Sequence, residues 1–233
     1  MKNPIFVALD VNTDKEALKL ARNVAPYVGG YKVGPRLMVK YGEKIVQSLA
    51  ELGEVFVDNK YYDIPSTVVA AVRATFAAGA SYTTVHASNG KECLEELAEL
   101  EIELNQQRAF TILAVTVLTS FDNDKKPVNW CDKDLSEQVK MLAAEVFQAG
   151  LHGVVCSPLE VKELKSHYPQ GFFVTPGIRL LDNSRDDQKR ILTPQQAIEL
   201  GASALVVGRP IVSAADPEVA ASHFAQAVAL ATR

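Results

Sequence analysis

Cysteine is scarce in this chain: among 233 residues there are three, Cys93, Cys131 and Cys156, far apart and without any Cys-x-x-Cys spacing. That argues against a disulfide framework and a cysteine zinc site, and the three are expected to be reduced thiols in a cytoplasmic protein. No apolar run approaches the roughly 20 residues that cross a bilayer. Neither sign of charge dominates: 24 Lys and Arg against 28 Asp and Glu leave a formal net charge of -4. Such a balance gives no global basic field, so neither nucleic acid nor a membrane surface is an expected partner. Any anion the protein binds must meet locally placed arginines, lysines or backbone amides. The opening Met1-Lys2-Asn3-Pro4 runs straight into a short apolar stretch, and no secretory signal is expected. Low-complexity linkers are missing too, so residues 1–233 are expected to form one domain.

What the chain does have is alternation. Short β-branched runs recur between longer helical patterns, and eight strands are expected: Ile5–Val11, Gly30–Gly34, Val55–Lys60, Tyr82–His86, Phe110–Leu118, Gly153–Cys156, Phe172–Thr175 and Ala204–Val207. Several are continuously apolar, such as Ala204-Leu205-Val206-Val207, which suits parallel strands covered on both faces. Thr13-Asp14-Lys15-Glu16 has the form of a capping box, and Pro65, Pro158 and Thr193-Pro194 mark further helix starts. Gly53, Gly79, Gly150 and Gly201 fall where the preceding helices should stop. Eight strand–helix units in one chain of this size predict an α/β fold, a (β/α)8 TIM barrel, with an open doubly wound sheet as the alternative. The stretch from Thr119 to Lys133 is the longest irregular one and a candidate active-site loop.

Polar residues gather at the C-terminal ends of the expected strands: Asp10, Lys32, Asp58 with Lys60, and His86. In a barrel that end is the catalytic face. Asp58 and Lys60 are two apart, so a regular strand points both to one side, with Asp63 just beyond and Lys32 on the neighbouring strand. These charges could form a structural ion network. They could equally do chemistry: a carboxylate between two ammonium groups stays ionised and repels a second carboxylate brought in by a ligand, while Lys60 could protonate a carbon that develops negative charge.

A second group follows strands seven and eight, in Thr175-Pro176-Gly177-Ile178-Arg179 and Gly208-Arg209-Pro210. Barrel phosphate sites commonly sit there, since glycine admits close approach and arginine offers a bidentate partner. Alone, these residues read as readily as turn glycines and surface arginines. With the charged cluster they predict a substrate with a phosphate handle at one end and reactive chemistry at the other. Gln188, in the polar loop Asp182–Lys189, could close over that phosphate.

Taken in order, the motifs Ala8-Leu9-Asp10, Lys32-Val33-Gly34, Asp58-x-Lys60-x-x-Asp63-Ile64-Pro65, Val85-His86-Ala87-Ser88, Val115-Thr116-Val117-Leu118-Thr119-Ser120, Thr175-Pro176-Gly177-Ile178-Arg179 and Val206-Val207-Gly208-Arg209-Pro210 resemble the bacterial type of orotidine 5'-phosphate decarboxylase, from Val7 to Arg209. The resemblance implies a homodimeric barrel that converts orotidine 5'-monophosphate to uridine 5'-monophosphate and carbon dioxide in pyrimidine biosynthesis, with no metal or organic cofactor. It implies that Lys60 donates a proton to C6 and that Lys32, Asp58 and Asp63 complete the charged array. Asp10 and Lys32 are implied at the ribose, Thr119 and Ser120 near the pyrimidine, and Gln188, Gly208 and Arg209 around the phosphate with Arg179 beside them; Pro176 is implied among the substrate-binding residues. Asp63 and Thr67 are implied to reach the partner subunit's site. His86 is expected to be structural.

Asn59, Tyr61, Tyr62 and Ser66 depart from the family pattern around the lysine, where an aliphatic residue, Phe-His and asparagine are usual; none replaces a charged member. Asn59 is expected to point away from the charges into a strand–helix or interface contact. A sugar-phosphate decarboxylase resembling 3-keto-L-gulonate 6-phosphate decarboxylase shares the Asp-x-Lys-x-x-Asp pattern but uses magnesium and an acid on strand two, where this chain has Lys32. A non-catalytic nucleotide-binding barrel would be expected to have lost part of the array.

Overall fold

The computed structural model describes residues 3–124, 126–127, 130, 133–180 and 192–231. Eight parallel strands close on themselves, each beside its neighbour in sequence: β1 (Ile5–Ala8), β2 (Gly30–Val33), β3 (Glu54–Tyr61), β4 (Tyr82–His86), β5 (Thr111–Val115), β6 (Gly153–Val155), β7 (Phe172–Thr175) and β8 (Ala204–Val207). The seam pairs Ile5 with Leu205 and Val7 with Val207. The open-sheet alternative is therefore excluded, because β1 and β8 are hydrogen-bonded partners rather than edges.

Helices cover the outside: α1 (Asp14–Val24), α2 (Pro35–Tyr41), α3 (Glu43–Ala50), α4 (Pro65–Ala77), α5 (Lys91–Asn105), α6 (Leu135–Gln148), α7 (Pro158–His167), α8 (Pro194–Glu199), α9 (Arg209–Val212) and α10 (Pro217–Ala231). The last of these packs on α1 and α8, closing the ring. The β2–β3 crossover holds two helices rather than one, broken at Gly42, whose φ of 55° takes the left-handed conformation that glycine tolerates. The capping box forms as the sequence predicts: the Glu16 amide donates to the Thr13 hydroxyl and the Glu16 carboxylate accepts from the Thr13 amide, both at 3.2 Å. Pro65, Pro158 and Pro194 each open a helix. Gly79, Gly150 and Gly201 end helices with positive φ; Gly53 instead closes a turn after α3, donating to the Leu49 carbonyl.

Strand ends differ from expectation at the catalytic face. β1 stops at Ala8 and β5 at Val115, so Asp10 and the Val117–Ser120 segment stand in loops beyond the sheet. The chain turns there because the Asp10 amide bonds back to the Ala8 carbonyl instead of continuing a ladder. No helix of the described residues is long and apolar enough to cross a membrane.

Two apolar layers result. One lies between sheet and helices; the other fills the barrel with Phe6, Ala8, Phe56, Leu113, Val174, Ala204 and Val206. At the N-terminal end of the interior the rings of Phe6, Phe56, Tyr82 and Phe172 pack edge-on or stacked, with Phe6 and Tyr82 centroids 5.2 Å apart. This plug makes the barrel a packed core open only toward the C-terminal ends. Gly153 makes room within it: a Cβ there would lie 2.5 Å from the Ile112 carbonyl oxygen and 2.8 Å from a Leu113 methyl. Gly153→Ala is therefore expected to destabilise the protein by about 1–3 kcal/mol through overpacking, read as a lower urea midpoint; an unchanged midpoint would contradict this packing.

Candidate active site

The interior above the plug changes from apolar to charged within one residue pair. Lys32 of β2 pairs in register with Phe56 of β3, so the next inward residue of β3, Asp58, stands beside the lysine. Lys32 Nζ lies 3.2 Å from Asp58 Oδ2 and Lys60 Nζ 2.8 Å from Asp58 Oδ1, while Lys32 Nζ also approaches Asp10 at 3.7 Å. Only 13% of the Asp58 side chain and 11% of the Lys32 side chain are exposed, against 37% for Lys60 and 58% for Asp10. Burial alone would push the Asp58 carboxyl up. The Lys32 and Lys60 charges, with hydrogen bonds from Lys60 and Thr84, outweigh it and hold the group below the ordinary carboxylate value.

The strand carrying this pair is not regular. Val57 pairs with Thr83 but Tyr61 pairs with Val85, so β3 carries extra residues against β4 between the two registers. Lys60 sits in that bulge with a φ of 51°, the one described non-glycine residue with positive φ. Such a conformation costs about 1–3 kcal/mol and persists only where surroundings enforce it. The expectation of two neighbours on one face of a plain strand is thus corrected: Asp58 and Lys60 meet through a bulge that re-aims the lysine. Thr84 of β4 fills the bulge, its Oγ1 accepting from the Lys60 amide at 2.9 Å and donating to Asp58 Oδ1 at 3.0 Å. Asn59, on the other face, donates to the Tyr61 hydroxyl at 3.0 Å, which meets Thr75 of α4 at 2.8 Å. Asn59 thus reaches α4 only through Tyr61 of its own strand.

Around the triad opens a cavity of about 610 Å³. Of the residues expected in the site it is lined by Asp10, Lys32, Asp58, Lys60, Thr119, Ser120, Pro176, Arg179, Gly208 and Arg209. Arg179 is buried to 5% exposure after β7, its Nη1 donating to the Ile178 carbonyl at 2.9 Å. Gly208, opening α9, lies beside Asp10: a Cβ there would fall 3.9 Å from Asp10 Oδ2. The ammonium–carboxylate cluster and the two arginines therefore share one enclosure. Gln188 lies outside the described residues.

Asp63 and Thr67 do not line this cavity and are exposed. Asp63 Oδ1 accepts from the Ile64 amide at 2.7 Å, and the loop is tied to β4 by Asn89, which donates to the Tyr61 and His86 carbonyls. Of the four expected charges, three thus converge within one chain. His86 is held away from the chemistry: its Nδ1 accepts from the Ser88 amide at 3.2 Å and its ring lies against Tyr62. Burial and the nearby Lys60 charge lower its pKa.

Sequence reasoning missed Thr84, Cys156 and the apolar wall of Val115, Leu118, Val155 and Val206. Strand parity could have found Thr84, which is two residues from Tyr82 and His86 along β4. Among the described residues no group of three or more His, Cys, Asp or Glu could hold a metal ion.

A protein-family model for the orotidine 5'-phosphate decarboxylase / HUMPS family matches residues 3–224. The chain belongs to this family. A curated orotidine 5'-phosphate decarboxylase from Dichelobacter nodosus is 43% identical over 217 residues, covering 92% of this chain and 94% of that protein. The Pseudomonas putida protein of the same name is 42% identical over 221 residues, covering 93% of each. Among solved structures, orotidine 5'-phosphate decarboxylase from Lactobacillus acidophilus superposes with a TM-score of 0.83 at 34% identity, covering 97% of this chain and 99% of that one. The family assignment also accounts for the barrel.

The depressed Asp58 pKa fixes a pH dependence. Because it is lowered on folding, its contribution to stability is present above the unfolded value of 3.8 and is lost as pH falls through the folded value. Urea midpoints measured between about pH 5 and about pH 2 are expected to fall less steeply for Asp58→Asn than for the wild type. Equal slopes would mean that Asp58 is not held ionised by its neighbours.

Proposed function

We propose that the protein decarboxylates orotidine 5'-monophosphate to uridine 5'-monophosphate and carbon dioxide, in de novo pyrimidine biosynthesis and in the cytoplasm. The observation that carries this reading is the buried Asp58 carboxyl, set between Lys32 and Lys60 in one cavity with Arg179 and Arg209. A cavity of about 610 Å³ is of a size that encloses a nucleotide monophosphate.

The phosphate binds toward Gly208, Arg209 and Arg179, with Gln188 closing over it, and Asp10 and Lys32 receive the ribose hydroxyls. Thr119, Ser120 and Pro176 border the pyrimidine. So anchored, the substrate brings its carboxylate toward Asp58, where two negative charges face each other in a poorly solvated space. Binding energy from the phosphate end holds it there. The bond from C6 to the carboxyl carbon breaks, the electron pair stays on C6 and carbon dioxide leaves. Lys60 transfers an Nζ proton to C6 and is reprotonated from solvent. Atoms and electrons balance without a metal or an organic cofactor. Two lysine charges beside Asp58 would also repel a divalent cation, which weighs against the magnesium-dependent alternative.

Asp63 and Thr67 serve the neighbouring subunit of a homodimer. Their exposure beside Tyr62 and Ile64, which are 67% and 64% exposed, supports that placement.

Carbon dioxide release from orotidine 5'-monophosphate by the purified protein in EDTA tests the reading; no turnover there, with or without added magnesium, would end it. Lys60→Ala is expected to lower kcat by about a thousandfold or more while the protein stays folded, and near wild-type turnover would remove Lys60 from proton donation. Arg209→Ala is expected to raise KM about 10- to 100-fold for the phosphorylated substrate and far less for one lacking phosphate. Equal losses on both would make Arg209 structural.

A further inference from the structure

The mechanism uses Asp58 and Lys60, yet neither holds its own position. Lys60 has the left-handed backbone of the β3 bulge, and the register jump between Val57 and Tyr61 interrupts the strand pairing its amide would otherwise join. Asp58 is anchored by flexible lysine side chains from two strands. One atom touches both problems. Thr84 Oγ1, fully buried on β4, accepts from the Lys60 amide and donates to Asp58 Oδ1.

We infer that Thr84 is a positioning residue for the decarboxylation, its single hydroxyl fixing both the backbone of Lys60 and the direction of the Asp58 carboxylate. The inference rests on the proposed roles of those two residues. A hydroxyl has one proton and two lone pairs. Because the amide of Lys60 can only donate, it occupies a lone pair and leaves the hydroxyl proton for Asp58. The two bonds run in one direction and reinforce each other. The β-branched side chain has restricted χ1 freedom, and at 0% exposure its place is not open to bulk water. Distances between proton donor and reacting carbon set the rate of transfer steeply, so a small shift of Lys60 is costly.

Thr84→Val keeps the shape and removes the hydroxyl; Thr84→Ser keeps the hydroxyl and removes the methyl. The valine variant is expected to lose about 100-fold in kcat with little change in KM for orotidine 5'-monophosphate, and the serine variant to recover most of the loss. The acid limb of the valine variant's pH–rate profile is expected to move to higher pH, because the Asp58 carboxylate loses a donor while Lys32, Lys60 and the more distant Asp10 and His86 still face the cluster. Alanine in place of valine repeats the comparison with serine at smaller volume, so the test does not depend on one variant folding. Wild-type kcat in the folded hydroxyl-free variants, or an equal loss in the serine variant, would overturn the inference. Lys60→Ala measured alongside separates the two claims. If it retains turnover, the proposed mechanism fails; if it is inactive while Thr84→Val is not, only the role of Thr84 fails.

Discussion

A buried carboxylate held between two ammonium groups is the constraint on which the site depends. Asp58 is largely removed from water, and an unpaired charge there would protonate instead. Lys32 at 3.2 Å and Lys60 at 2.8 Å prevent that. The pairing needs lysines from two directions, one across the β2–β3 ladder and one from further along β3. A parallel barrel supplies the first through the register of Lys32 with Phe56. A bulge supplies the second, with strained backbone at Lys60 as its cost. Strain at a single residue beside a titratable pair is where function and stability pull against each other.

The remainder of the barrel makes this arrangement usable. Aromatic rings plug the N-terminal end, so a ligand has access only from the catalytic face. The arginines after β7 and β8 line the same cavity as the charged cluster.

Much of this was legible in the residues. The continuous apolar runs and repeated caps specified eight strand–helix units, because parallel strands buried on both faces need no alternation and helices need starts and stops. The motifs that placed Asp10, Lys32, Asp58 and Arg209 at strand ends depend only on local spacing, and all four line the cavity. Other features were hidden for physical reasons. The Lys60 bulge arises from a register mismatch with β4, which period-two reasoning about β3 alone cannot register. Thr84 has its partners on β3, so β4 read alone gives its parity but not what it binds. β1 and β5 end earlier than their apolar runs suggest: the Asp10 amide turns back to the Ala8 carbonyl, and Val117 is buried beyond the end of β5. Asp63 shares a motif with Lys60 yet stands apart from it in space, so sequence proximity did not imply one cluster within one chain.

The ionisation state of Asp58 decides the account, and a carbon-13 NMR titration of its side-chain carboxyl in the folded protein measures it directly. The predicted result is a midpoint below the ordinary value of 3.8, moving upward when Lys32 is replaced by alanine. A midpoint above 3.8 in the wild type, with the carboxyl taking up its proton before its exposed counterparts do, would contradict it.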